Sequence, residues 1–170
     1  MLPYDLTRNY LPDYLPLSSS VNFVLRVIYI RLKYLISGFP QGIPRYKKRK
    51  IIFIHIPKNA GSSITKSLYN SGLSHTSALY YKLIDRQSFN EIESFALFRD
   101  PIDRFCSAFN YLKYKSEHAT DICFRELHLQ TTNTISDFIV LMQTNSAFKT
   151  KVLNYPHFRT QSEFVCDAQG

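Results

Sequence analysis

Hydrophobic and polar positions change period along this chain, and the changes mark its elements. Residues 51–56, IIFIHI, form an unbroken β-branched apolar run that ends at Pro57, the pattern of a buried strand. Residues 61–71 switch to helical spacing, with Ile64 and Leu68 facing inward. SFALF, residues 94–98, predicts a second buried strand that stops at Arg99. Asp100 and Pro101 then open a helix, an acidic N-cap followed by a proline at the first helical position. Ile102, Phe105, Phe109 and Leu112 make the core stripe of that helix. TISDFIVLM, residues 134–142, predicts another helix, and the tail to Gly170 reads mostly as loop. From residue 51 onward the alternation of strand and helix is that of an α/β fold.

The first third is different. Residues 1–20 are rich in Tyr, Pro and Ser, with Pro3, Pro12 and Pro16 as punctuation, and read as irregular. Next comes the apolar stretch VNFVLRVIYIRLKYLISGF, interrupted by Arg26, Arg31 and Lys33. Three cations make a membrane span costly, at about 2.5–3.5 kcal/mol each near the bilayer centre. An interfacial helix with its basic side chains reaching for the head groups fits better, and the alternative is a helix packed on the domain's own surface. RYKKRK, residues 45–50, adds five cations in six positions. Of the net charge of +8, the first 50 residues carry +7, from nine Lys/Arg against two acids. The expected division is therefore a basic amphipathic segment, 1–45, and a folded domain, 46–170. An anionic membrane surface contacting residues 21–50 is the expected partner of the basic part. Nucleic acid is not expected, because no aromatic stacking platform or recognition motif accompanies the basic run.

Cys106, Cys123 and Cys166 lack metal-ligand spacing, and their odd number argues against a complete disulfide framework. Near the N-terminus no small-residue cleavage site follows a short apolar stretch, as a cleaved secretory signal requires. A reducing, cytoplasmic setting, peripheral at the membrane, is the simpler expectation.

Candidate chemistry begins where the first strand turns into a helix. Backbone amides at a helix N-terminus point at an anion, and Lys58, Asn59, Ala60, Gly61, Ser62 and Ser63 occupy that turn. The nucleoside triphosphate version places lysine after the last glycine and a hydroxyl on magnesium. Here the lysine precedes the glycine, so it would reach a group beyond a 5′-phosphate. The second candidate site lies at the end of the second strand, where ligands of open α/β sheets bind. Arg99 stands there, and Arg104, Ser107 and Tyr111 project together from the following helix, away from its apolar stripe. For Arg104 an ion pair with Asp100 or Glu117 is the more ordinary expectation.

HIPKNAGSS resembles the 5′-phosphosulfate-binding loop of sulfotransferases that use 3′-phosphoadenosine 5′-phosphosulfate (PAPS). More narrowly, it is similar to the carbohydrate sulfotransferases related to the heparan sulfate 2-O- and chondroitin enzymes. FALFRDPIDRFCSAFNYL, residues 95–112, resembles the strand and helix that bind the 3′-phosphate in that family. SHTSALYY and HFRTQSEF also look like family segments, and the likeness covers about residues 50–170. It implies a P-loop-like three-layer fold with a central parallel sheet flanked by helices. It also implies PAPS as co-substrate without a metal, and a carbohydrate or polysaccharide acceptor. Lys58 would then meet charge on the oxygen bridging phosphate and sulfate, and His75 would take the acceptor's proton. Arg99 and Ser107 would hold the 3′-phosphate. His157 competes for the role of base, or contacts acceptor or nucleotide together with Gln161. His55 is expected to pack inside its strand.

Two departures from the family pattern stand out: Thr160 replaces a frequent proline, and the domain is expected to be C-terminally incomplete. The alternatives are a degenerate nucleotide- or glycan-binding relative without turnover, and a membrane-surface scaffold. A Golgi lumen is the other location the resemblance implies.

Overall fold

The apolar run before Pro57 becomes a short strand, β1 (Ile52–Ile54), all three residues of which are buried. It pairs in parallel with β2 (Ser94–Ala96), with Ile52 opposite Ser94, Phe53 opposite Phe95 and Ile54 opposite Ala96. A parallel pair needs a long crossover, and three helices supply it: α2 (Gly61–Tyr69), α3 (Ala78–Ile84) and α4 (Arg86–Glu91). A preceding helix, α1 (Ile43–Arg49), leads into β1. After β2 come α5 (Pro101–Asn110), a π-helical turn (Tyr111–Lys115), α6 (Ala119–His128), α7 (Ile135–Thr144), α8 (Ser146–Asn154) and α9 (Ser162–Val165). The computed structural model describes residues 43–166. Within them the architecture is helix-dominated α/β with a two-stranded parallel sheet.

The far edge of β1 is closed by a side chain. The Tyr69 hydroxyl accepts from the Phe53 amide at 3.0 Å and donates to the Ile51 carbonyl at 2.9 Å, as a neighbouring strand would. On the other side β2 is half-open rather than buried: Ser94 is exposed and Phe95 and Ala96 only partly covered. The expected pair of buried strands is therefore corrected to one buried strand and one partly open one.

Helix caps follow the sequence closely. The Asp100 carboxylate accepts from the amides of Ile102 and Asp103 at 2.9 and 3.0 Å, with Pro101 at the first position. Thr134 and Asp137 form a reciprocal capping box on α7. The stripe on α5 is another matter. Phe109 and Leu112 are buried, but Ile102 is 74% exposed, because α5 is rolled to bring Arg104 inward. The tail also needs correction, since residues 146–154 form α8 rather than loop. Asn145 caps it by accepting from the Phe148 amide, and Phe148 and Val152, one turn apart, are buried.

Two apolar cores result. One surrounds the sheet, with Phe53, Ile54, Ile56, Tyr81 and Phe164. The other joins α5–α8, with Phe109, Leu112, Phe124, Phe138 and Val152. Residues 1–42 and 167–170 lie outside the described residues, and with them the apolar part of the basic segment. No helix among the described residues is long and apolar enough to cross a membrane. Cys106, Cys123 and Cys166 are all free thiols.

Candidate active site

A cleft of about 1280 Å³ opens beside the carboxyl ends of both strands, between the two cores. Its floor is the turn after β1. Lys58 and Ala60 both adopt left-handed backbone, with φ of 67° and 59°, which folds the chain sharply into α2. Asn59, buried between them, locks the turn: its amide nitrogen donates to the Leu97 carbonyl at 2.6 Å and to Gln161 Oε1 at 2.7 Å. Gln161 also accepts from the Arg99 amide at 3.1 Å and donates to the Arg99 carbonyl at 2.8 Å. One asparagine and one glutamine thus tie the loops after both strands together. Gln161 reaches the site through Arg99's backbone.

Gly61 opens α2 directly over the His55 ring. A Cβ added there would lie 1.9 Å from His55 Cδ2, so only glycine lets helix and imidazole approach this closely. Ser62 lines the cleft and Ser63 is exposed beside it, its amide turned back onto the Ala60 carbonyl at 3.2 Å.

Arg99 and Ser107 line the same cleft from its other side. Arg99 is exposed, and its guanidinium donates to the Lys58 carbonyl at 3.4 Å. The two candidate anion-binding groups are therefore neighbours. Arg104 is not part of them, nor does it pair with Asp100 or Glu117. It is buried, and its guanidinium donates to the carbonyls of Pro57, His157 and Arg159. It staples the phosphate-type turn to the loop carrying His157. Arg104→Ala should destabilise the protein by about 3 kcal/mol, since it strands two buried acceptors and a partly buried third. Urea unfolding would measure this, and an unchanged midpoint would show that the staple contributes nothing.

Three histidines pack edge-to-face in a row across the cleft. Ring centroids are 4.4 Å apart for His55 and His75, and 5.5 Å for His75 and His157. His55 is buried in the strand's extension as expected, stacked on Phe53, with Nδ1 donating to the Leu73 carbonyl at 3.0 Å. His75 sits on the loop between α2 and α3, and its Nδ1 donates to the His55 carbonyl at 3.4 Å. A carbonyl only accepts, so Nε2 of His75 keeps its lone pair. Burial, with His55 and His157 nearby, pushes the His75 pKa well below the usual histidine value. The imidazole is thus neutral and able to accept a proton near pH 7.

Lys58 is half-buried, its ammonium 3.9 Å from the centre of the Tyr111 ring. Burial lowers its pKa, Asp121 opposes that, and Arg99 and Lys115 add to it. Asp121 is buried on the first turn of α6 and had no motif to announce it. Its carboxylate accepts from the hydroxyls of Tyr155 at 2.6 Å and Tyr111 at 2.9 Å, and lies 3.4 Å from His157 Nε2. Burial opposes its ionisation, yet His157 and the two tyrosines hold its carboxyl at about 2. In sequence it looks like an ordinary acid near a helix start, a position the helix dipole favours in any protein.

Among the described residues no group of three or more His, Cys, Asp or Glu side chains is placed to share a metal ion. The site offers instead an ammonium, a guanidinium, free hydroxyls and helix amides for oxyanions, beside a neutral imidazole. That set suits transfer of an anionic oxygen-rich group to a hydroxyl. A family model described as the sulfotransferase family matches residues 43–170. No curated protein and no solved structure matched the chain.

Proposed function

The chain belongs to the sulfotransferase family, and we propose that it transfers a sulfuryl group from PAPS to a carbohydrate hydroxyl. The observation that carries this reading is the adjacency of two anion-binding groups, the 58–63 turn and Arg99 with Ser107, across one cleft. A nucleotide bearing separate 5′ and 3′ anions suits that pair better than a triphosphate does. The open start of α2, with Ser62 and Ser63, is assigned to the 5′-phosphate, and Gly61 leaves room for close approach. Arg99 and Ser107 are assigned to the 3′-phosphate, where a guanidinium forms strong charge-assisted hydrogen bonds. The underlying fold is read as the P-loop-like three-layer type.

In the reaction the acceptor oxygen forms a bond to sulfur as the bond from sulfur to the phosphate oxygen breaks. His75 Nε2 takes the acceptor's proton. Lys58 faces the departing oxygen, which leaves with the electron pair. His157 belongs to the acceptor side of the cleft, and Gln161 keeps Arg99 in place. Residues 21–50, with eight Lys/Arg and no acid, are assigned to an anionic membrane surface on the cytoplasmic side.

Calorimetric titration tests the nucleotide. Adenosine 3′,5′-bisphosphate should bind without magnesium, roughly ten- to a hundredfold more tightly than AMP or ATP, the equivalent of about 1.5–3 kcal/mol from the second phosphate. Arg99→Ala should remove most of that preference while changing AMP binding little. Magnesium-dependent ATP binding that survives Arg99→Ala would sink this reading. Tight bisphosphate binding without sulfate transfer to any glycan would point to a binding module.

A further inference from the structure

Asp121 lines the same cleft and connects the two halves of the candidate site through its side-chain partners. Its partners come from two other segments: Tyr111 from the π-helical turn, and Tyr155 and His157 from the loop after α8. On one side, the ring it anchors through the Tyr111 hydroxyl carries the Lys58 ammonium 3.9 Å above its centre. On the other, the His157 ring it faces packs edge-on against His75. Tyr111 and His157 also touch each other, with centroids 5.0 Å apart, so the assembly closes on itself.

We infer that Asp121 is a positioning residue: one buried carboxylate that sets the lysine through Tyr111 and the edge-to-face histidine row through His157. The inference rests on the sulfuryl-transfer reading for what the lysine and histidine do, but not for the linkage itself.

Physical reasons favour this over a purely structural carboxylate. Removing a charge from water is costly. A carboxylate kept only for stability would be expected to hold backbone amides or a surface cation. Here the carboxylate holds three aromatic side chains, Tyr111, Tyr155 and His157, and the first and last of them line the cleft with it. A tyrosine hydroxyl donating to a carboxylate pushes electron density into its ring, which deepens the negative face that attracts an ammonium. The π-helical turn adds a residue to the helical repeat at Tyr111, and such turns swing side chains out of register. The charged and titratable groups facing this cluster are Lys58, Lys115, Glu117, His75 and His157, with Arg99 beyond the lysine.

The test uses the full chain and three variants: Asp121→Asn, Tyr111→Phe and the double variant. Asp121→Asn is nearly isosteric, so it removes charge with little change in packing. It should lower kcat about 10²-fold, the scale of a small misplacement of reacting groups. The affinity for adenosine 3′,5′-bisphosphate should stay within about twofold of the parent, a margin below 1 kcal/mol. Tyr111→Phe should lower kcat by about tenfold, and the double variant no further than Asp121→Asn, because both act through one linkage. Nitrogen NMR of the Lys58 amine supplies a readout independent of activity. Its titration midpoint should move to lower pH in Asp121→Asn, since the carboxylate that favours the ammonium is gone.

Additive losses in the double variant would overturn the inference, as would a Lys58 midpoint unmoved in Asp121→Asn. If Asp121→Asn does not fold, Tyr111→Phe decides: turnover equal to the parent's would overturn the linkage. If the parent neither transfers sulfate nor binds the bisphosphate, the functional reading fails, and the Lys58 midpoint still decides whether Asp121 governs the lysine.

Discussion

Lys58→Ala should reduce sulfate transfer by about 10²–10³-fold while leaving adenosine 3′,5′-bisphosphate affinity almost unchanged. A preorganised donor aimed at a developing oxyanion contributes on the order of 2.7–4 kcal/mol, and that contribution belongs to the transition state. Ground-state binding should survive because the nucleotide's other groups have their own partners at Arg99, Ser107 and the start of α2. The turn itself should also survive. Its left-handed residue at position 58 is already non-glycine, and alanine strains it no more than lysine does. Asn59 still ties the turn to Leu97 and Gln161. Single-turnover transfer of radiolabelled sulfate, alongside calorimetry, separates the two effects. Near-parental turnover by Lys58→Ala would remove this lysine from the chemistry.

His75→Ala should cost about 10²–10⁴-fold in kcat, the usual range for losing a positioned general base. The pH dependence carries more information than the size of the loss. Only the neutral imidazole accepts a proton, so activity falls as pH drops through the pKa of the base. Burial and the two neighbouring histidines push the His75 value well below that of an ordinary histidine. The acid limb of kcat in the parent enzyme should therefore lie well below pH 6.5, and it should vanish from the residual rate of His75→Ala. If His157→Ala loses both rate and limb while His75→Ala keeps them, the base is His157. An acid limb centred at or above 6.5 would likewise argue against His75 as the base.

Much of the site was legible before any coordinates, because it is written in short-range pattern. The strand run, the Pro57 break, the lysine-before-glycine turn and the Asp100-Pro101 helix start each depend on neighbours within a few residues. So does the helix read over residues 134–142. Backbone sterics and local hydrogen bonding act over that range, and the structure has each of these elements where the pattern puts it. The tail helix was equally local in origin, with Asn145 as cap and Phe148 and Val152 one turn apart.

What the chain's pattern left undecided depends on residues far apart in sequence. Arg104 lies on the polar side of its helix by periodicity. Three carbonyls brought together from positions 57, 157 and 159 give it the partners that burial demands, and so Ile102 turns outward. Gln161 holds Asn59 across 102 positions, and Tyr155 reaches Asp121 across 34. Nothing in the residues around Asp121 distinguishes it from a solvated acid. Its role comes from the low-dielectric place in which two tyrosines and a histidine converge. By itself the sequence determined the strands, turns and caps, and the residue types offered to an anion. Tertiary structure alone decided which of those side chains share a cleft and which are buried to brace it, because burial and convergence are properties of packed segments.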